Sequence, residues 1–265
     1  MAVVEVSFPS YSLRRSVTFR ALIPIDRSFV PGQETRFDSG KLPTLYMLHG
    51  YSGDQNDFLT MTDIWRYSIE LGLAVIFPSG ENSFYLEDTE LGISHSRLVG
   101  KELVDFTRSM FPLSDRREDT YIGGISMGGY GALINGLRYP DTFSRILSMS
   151  GAYVAMDVAD RKEAFDDGVS DGAHKERIFG NPECLRRTDK DPRFLMEQLV
   201  ASGGKVPEIR LCCGTEDFLI EVNRKLHRYL EEHGISHVYE EGPGIHDWDY
   251  WEPRLRPGLE WLAGA

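Results

Sequence analysis

The chain has 265 residues, enough for one large domain with a sizeable core. Its 41% hydrophobic and 26% charged residues are those of an ordinary globular protein. A formal net charge of −12 argues against a nucleic-acid surface and disfavours anionic lipid, and no apolar run of about 18 residues could span a membrane.

Read in chain order, Val3–Phe8 and Ser16–Ile23 alternate apolar and polar residues, the pattern of half-buried strands forming an antiparallel edge. Residues 31–43, PGQETRFDSGKLP, form a turn-rich connection. TLYMLHG (44–50) is a short apolar run closed by glycine, a buried strand. Asp63–Leu71 has helical spacing with Gly72 as its stop, and LAVIFP (73–78) is a second buried strand. A helix is expected over Ser96–Met110, a strand over 119–124, a helix over Met127–Tyr139 and a strand over 143–151.

Residues 152–205 break this rhythm. They are polar, with only Asp191–Ala201 reading as helix, and are expected to form a cap-like insertion over one end of the sheet. Order resumes with a strand at 208–214, a helix over Asp217–His233 ended by Gly234, and a strand at 236–241. Trp251, Leu255, Leu259 and Leu262 fit a final helix interrupted by Pro253 and Pro257. Strands alternating with helices imply a mostly parallel sheet, an α/β fold in one domain over 1–265.

The N-terminus, MAVVEVSFPSYSLRRSVTF, has no basic segment followed by a long apolar run, so it does not read as a secretory signal. Cys184, Cys212 and Cys213 match no CxxC or zinc pattern, and adjacent cysteines on a strand face opposite sides. Reduced thiols in a cytoplasmic protein are the expectation.

In parallel sheets ligands bind outside the carboxyl ends of the strands. There, Gly124-Ile125-Ser126-Met127-Gly128 matches G-x-S-x-G between an expected strand and an expected helix, the context this nucleophile turn requires. A serine hydroxyl needs a base, oriented in turn by a carboxylate. Of the seven histidines, His246 alone sits in a glycine-rich loop after the last strand. Asp217, directly after the strand EIRLCCG, fits the chain order Ser…Asp…His, with helix capping as its bland reading and Glu216 as its rival. The backbone N–H groups of Met127 and Tyr51 are the candidate oxyanion donors.

LHGYSGDQNDF, GGISMGGYGAL, CGTEDFLI and GIHDWDYW, in that order, resemble the esterase D-like group of α/β-hydrolases, and within it the intracellular tributyrin esterase type. The resemblance covers nearly the whole chain, with 152–205 matching least. It implies the α/β-hydrolase fold, with Ser126 as nucleophile, Asp217 as acid, His246 as base and Tyr51 and Met127 at the oxyanion. It implies a serine carboxylesterase acting on short acyl esters, a small-molecule substrate, no metal or other cofactor, and a homo-oligomer, as is common in this group. Carbohydrate acetyl esters and hydroxycinnamoyl esters are the alternatives. For these Trp248, with Tyr51, Tyr250 and Trp251, would line a ring-binding pocket; packing of the last loop and helix is the competing reading. S-formylglutathione hydrolases of the group usually carry a cysteine in the loop that here reads YSGDQND, which has none. A non-catalytic binding module would be expected to have lost part of the triad, and all three residues are present.

Overall fold

The computed structural model describes residues 1–25, 40–161 and 172–264. The turn-rich connection lies largely outside these, as do ten residues of the expected insertion. An eight-stranded sheet is built from β1 (Ala2–Ser10), β2 (Arg15–Ile23), β3 (Thr44–Leu48), β4 (Ala74–Pro78), β7 (Thr120–Ile125), β8 (Arg145–Met149), β9 (Glu208–Gly214) and β10 (His237–Gly242). A separate two-stranded ribbon pairs β5 (Glu87–Asp88) with β6 (Ile93–Ser94). The sheet order is β1-β2-β4-β3-β7-β8-β9-β10. β2 pairs antiparallel with both β1 and β4, which makes the antiparallel edge, and the remaining strands pair parallel, as the sequence predicts.

The central strands are buried along their whole length because each feeds two cores. Alternate residues point to opposite faces. Tyr46 and Leu48 of β3 and Ala74 and Ile76 of β4 join one core; Leu45 and Met47, Val75 and Phe77 join the other. The helices are α1 (Asp57–Met61), α2 (Ile64–Leu71), α3 (His95–Arg97), α4 (Leu103–Met110), α5 (Met127–Arg138), α6 (Val154–Arg161), α7 (Gly172–Phe179), α8 (Pro182–Leu185), α9 (Pro192–Ala201), α10 (Ile220–Glu232) and α11 (Trp248–Ala263). The first core takes side chains from α4, α5, α9 and α10, and the second from α1, α2 and α11.

Several expectations are corrected. The helix expected at Ser96–Met110 starts at His95 and contains a π-type turn, Leu98–Glu102, between α3 and α4. The turn holds the Glu102 carboxylate under the first hairpin, where it accepts from Ser10 Oγ–H and from the N–H groups of Tyr11 and Ser12. Pro253 and Pro257 do not interrupt α11. Each proline costs a helix interior about 3 kcal/mol. The stripe Trp251, Leu255, Leu259 and Leu262 is buried, however, and full burial of such a side chain contributes about 1.5–3 kcal/mol.

Residues 152–205 hold not one helix but α6, α8 and α9, with α7 among them. Three of these four have eight residues or fewer, too short for a clear apolar period and dependent on tertiary packing. Phe179 of α7 packs edge-on to Phe84 and Tyr130, and His174 Nε2–H donates to the Asn82 carbonyl beyond the end of β4 (2.9 Å).

Candidate active site

Strand register sets the site. Leu48 lies opposite Gly124, Ile125 opposite Met149, Met149 opposite Cys212, and Gly214 opposite Gly242. The loops after β3, β7, β9 and β10 therefore emerge along one sheet edge, each carrying one of the expected groups.

Ser126 sits between β7 and α5 with φ 53° and ψ −118°. A side chain held at positive φ is strained, which marks a constrained turn. The turn is tied down on both sides: Ser126 N–H donates to the Met149 carbonyl (2.9 Å), and the Ser126 carbonyl accepts from Ala152 N–H (2.9 Å) and Tyr130 N–H (3.1 Å). The two motif glycines are required by close approach. A Cβ on Gly124 would stand 2.5 Å from the Gly128 backbone, and one on Gly128 would stand 2.1 Å from the Leu48 carbonyl oxygen.

His246 comes from the loop between β10 and α11. Its Nδ1 lies 2.8 Å from Asp217 Oδ2 and its Nε2 lies 2.9 Å from Ser126 Oγ. A carboxylate only accepts, so the ring proton sits on Nδ1 and Nε2 is left to accept the serine hydroxyl proton. The ring is wedged between Phe218, 4.6 Å away and tilted, and Trp251, 4.9 Å away and edge-on. Trp251 Nε1–H is anchored on Ser150 Oγ (2.9 Å), and Ser150 is itself at φ 47°.

Asp217 is 1% exposed. The helix expected from Asp217 begins at Ile220, which frees the carboxylate from the helix barrel. Asp217 is not the helix cap: Leu219 holds that position and α10 receives no side-chain cap bond. Oδ1 instead accepts Leu219 N–H (2.8 Å) in the turn before the helix, while Oδ2 faces His246. Burial works to raise the carboxyl, but the hydrogen bond and charge of His246, with help from Leu219 N–H and Ser150, outweigh it and hold the carboxyl below the usual carboxylate range. The nearby Cys213 thiol is pushed up by burial and stays protonated.

The rivals are placed elsewhere. Glu216 Oε2 accepts Gly244 N–H (2.7 Å), clamping the histidine loop to the acid loop. Asp247 caps α11 by accepting Tyr250 N–H. His227 pairs with His237, and His174 binds Asn82. Trp248 is partly buried, edge-on to Phe58 and to Trp251 (5.3 Å each); the indole that meets His246 is that of Trp251.

The loop after β3 lies against the elbow: a Cβ on Gly50 would stand 3.5 Å from Ser126 Cβ. Among the described residues, neither Tyr51 N–H nor Met127 N–H has a hydrogen-bond acceptor. Met127 is the first residue of α5, where such donors are free and the helix dipole is positive. The arrangement joins a hydroxyl, an imidazole, a carboxylate and two free N–H groups, the set that acyl transfer needs.

Over residues 28–262 the chain matches the family model described as "Putative esterase", and it belongs to that family. It is 40% identical over 263 residues to an acetyl esterase of Caldicellulosiruptor saccharolyticus, covering 99% of this chain and 98% of the relative. Two Staphylococcus aureus enzymes of solved structure are similar to it. One is the fluorophosphonate-binding serine hydrolase FphF (30% identity, TM-score 0.83, 99% of this chain and 98% of that one). The other is the S-formylglutathione hydrolase FrmB (31% identity, TM-score 0.83, 99% and 98%). The expected fold and esterase class therefore hold: the protein is an α/β-hydrolase of the serine carboxylic ester hydrolase class. Among the described residues, no helix is long and apolar enough to cross a membrane.

Proposed function

We propose that the protein hydrolyses short acyl esters of small alcohols, acetyl esters foremost, through an acyl-enzyme on Ser126. The observation that carries this reading is the unbroken relay Ser126 Oγ–His246 Nε2 (2.9 Å) and His246 Nδ1–Asp217 Oδ2 (2.8 Å) on a strained strand-to-helix turn. The acetyl preference is supported by the 40% identity to an acetyl esterase.

Ser126 Oγ attacks the ester carbonyl as His246 Nε2 takes its proton. The carbonyl oxygen becomes an oxyanion bound by Tyr51 N–H and Met127 N–H, and each donor of this kind is worth on the order of 10²–10³ in rate. Asp217 holds the Nδ1–H and stabilises the imidazolium. Collapse expels the alcohol, which takes the proton from Nε2. Water then attacks the acyl-serine with Nε2 as base, and the acid leaves with Ser126 restored. Three free cysteines support action in a reducing compartment, the cytoplasm.

The test is an ester panel: p-nitrophenyl acetate, butyrate and octanoate, acetylated sugars, methyl ferulate and S-formylglutathione. The reading expects the acetate and butyrate to be turned over fastest and Ser126→Ala to be inactive on every member. Faster turnover of S-formylglutathione would move the assignment to thioesters, to which the 31% identity to FrmB points. Wild-type turnover by Ser126→Ala would remove the nucleophile.

A further inference from the structure

The loop after β3 begins with His49-Gly50-Tyr51. His49 is 1% exposed and lies outside the Ser126 relay. Its ring makes two hydrogen bonds whose directions are fixed by chemistry. Gly80 N–H donates to His49 Nε2 (2.8 Å), so Nε2 carries no proton. The proton therefore sits on Nδ1 and is donated to the Gly50 carbonyl, 2.7 Å away. Burial also lowers the proton affinity of this ring, against the opposing pull of the Gly50 carbonyl, Asp57 and Asp54.

The Gly50 carbonyl and the Tyr51 N–H belong to one planar trans peptide, so they point in opposite directions. Turning that peptide over rotates ψ of Gly50, which glycine leaves free, together with φ of Tyr51. Turned over, it would present a carbonyl to the oxyanion in place of a donor. The His49 ring, itself held by Gly80 N–H, pins the Gly50 carbonyl in one of the two orientations. Gly53 N–H adds a second donor to the same carbonyl (3.2 Å), Tyr85 Oη–H donates to the His49 carbonyl (3.1 Å), and Ser52 N–H donates to Asn82 Oδ1 (2.7 Å).

We infer that His49 is a positioning residue of the esterase: held neutral between Gly80 N–H and the Gly50 carbonyl, it fixes the peptide that delivers Tyr51 N–H to the oxyanion. This rests on the reading of Ser126 and Tyr51 given above. The device predicts that only the bond to Gly50 matters for rate, and two replacements separate the bonds. Asn places an amide N–H near the Nδ1 position and keeps the pin on Gly50. Gln places its amide oxygen near the Nε2 position and keeps only the link to Gly80.

The experiment measures kcat and KM for p-nitrophenyl acetate, thermal midpoint, and inhibition by a trifluoromethyl ketone, a mimic of the tetrahedral adduct. His49→Gln and His49→Ala are expected to lose about 10²-fold or more in kcat with KM changed by less than about threefold. The ketone should weaken in parallel with kcat/KM. His49→Asn should recover the rate to within about tenfold of wild type. A folded His49→Gln with wild-type kcat, or an Asn variant as impaired as Gln, overturns the inference.

Should the His49 variants not fold, Asn82→Ala serves, since it frees Ser52 at a part-exposed site. It should lower kcat several-fold without moving the thermal midpoint; an unchanged kcat counts against the device. Ser126→Ala is run alongside. If it is inactive while the His49 variants keep full activity, the inference alone fails. If Ser126→Ala is active, the underlying reading fails with it.

Discussion

The two loops that meet at the site are built in different ways. The elbow after β7 carries its shape in consecutive residues, although Met149 and Ala152 also tie it down. Its glycines lie two residues either side of Ser126, its strain is in the serine's own backbone, and its candidate donor is the first N–H of the helix that follows. The loop after β3 is held by groups distant in the chain: Gly80 N–H fixes the ring of the loop's own His49, Tyr85 donates its hydroxyl to the His49 carbonyl and Asn82 accepts Ser52 N–H, each 30 or more residues on. A site part made locally leaves its pattern in consecutive letters. One made by distant contacts does not, although both must hold an N–H to within a fraction of an ångström.

Mutations at the two loops should differ in effect. The largest effect belongs to the relay itself. His246→Ala should lower kcat by on the order of 10⁴–10⁶ with the fold intact, as seen by single-turnover kinetics and circular dichroism. Asp217→Asn should follow at about 10⁴, because an amide can hold the ring in the wrong tautomer. Asp217 also gives a pH prediction. Its folded carboxyl is depressed, so its contribution to stability is present above the ordinary carboxylate value and is lost as pH falls through the lower folded value. The acid limb of kcat/KM should accordingly show one proton and not two, because the Asp217 carboxyl is held below the usual carboxylate range.

Next comes the locally built elbow. Gly128→Ala drives a methyl into the Leu48 carbonyl, so it should cost about 1–3 kcal/mol in urea unfolding and lower activity with it. The smallest effect is expected from Glu216→Gln. That carboxylate is exposed and only clamps the histidine loop through Gly244 N–H, so kcat should fall by less than about tenfold. A loss as large as that of Asp217→Asn would make Glu216 the acid.

What the sequence made legible follows the same division. The parallel sheet, the elbow and the positions of Ser126, Asp217 and His246 could be read because strand runs, glycine spacing and chain order are local signals. The role of His49 left no such local signal, because its partner on Gly80 is a backbone N–H that almost any residue would supply. The continuity of α11 through two prolines was hidden because burial of Trp251 and Leu255 against the sheet outweighs a local penalty. The helices α6, α7 and α8 were hidden because they owe their form to packing. Phe179 of α7, for example, is fixed by the rings of Phe84 and Tyr130. Trp251 read as a core residue, and it is one, but it also backs His246 through its edge.

The most direct test of the central claim is to trap the acyl-enzyme. Rapid acid quench during turnover of p-nitrophenyl acetate, followed by peptide mass spectrometry, should find one acetyl group on the peptide containing Ser126. The burst of p-nitrophenol should match one equivalent per chain. Acetyl on another residue, or a burst that survives in Ser126→Ala, would contradict the account.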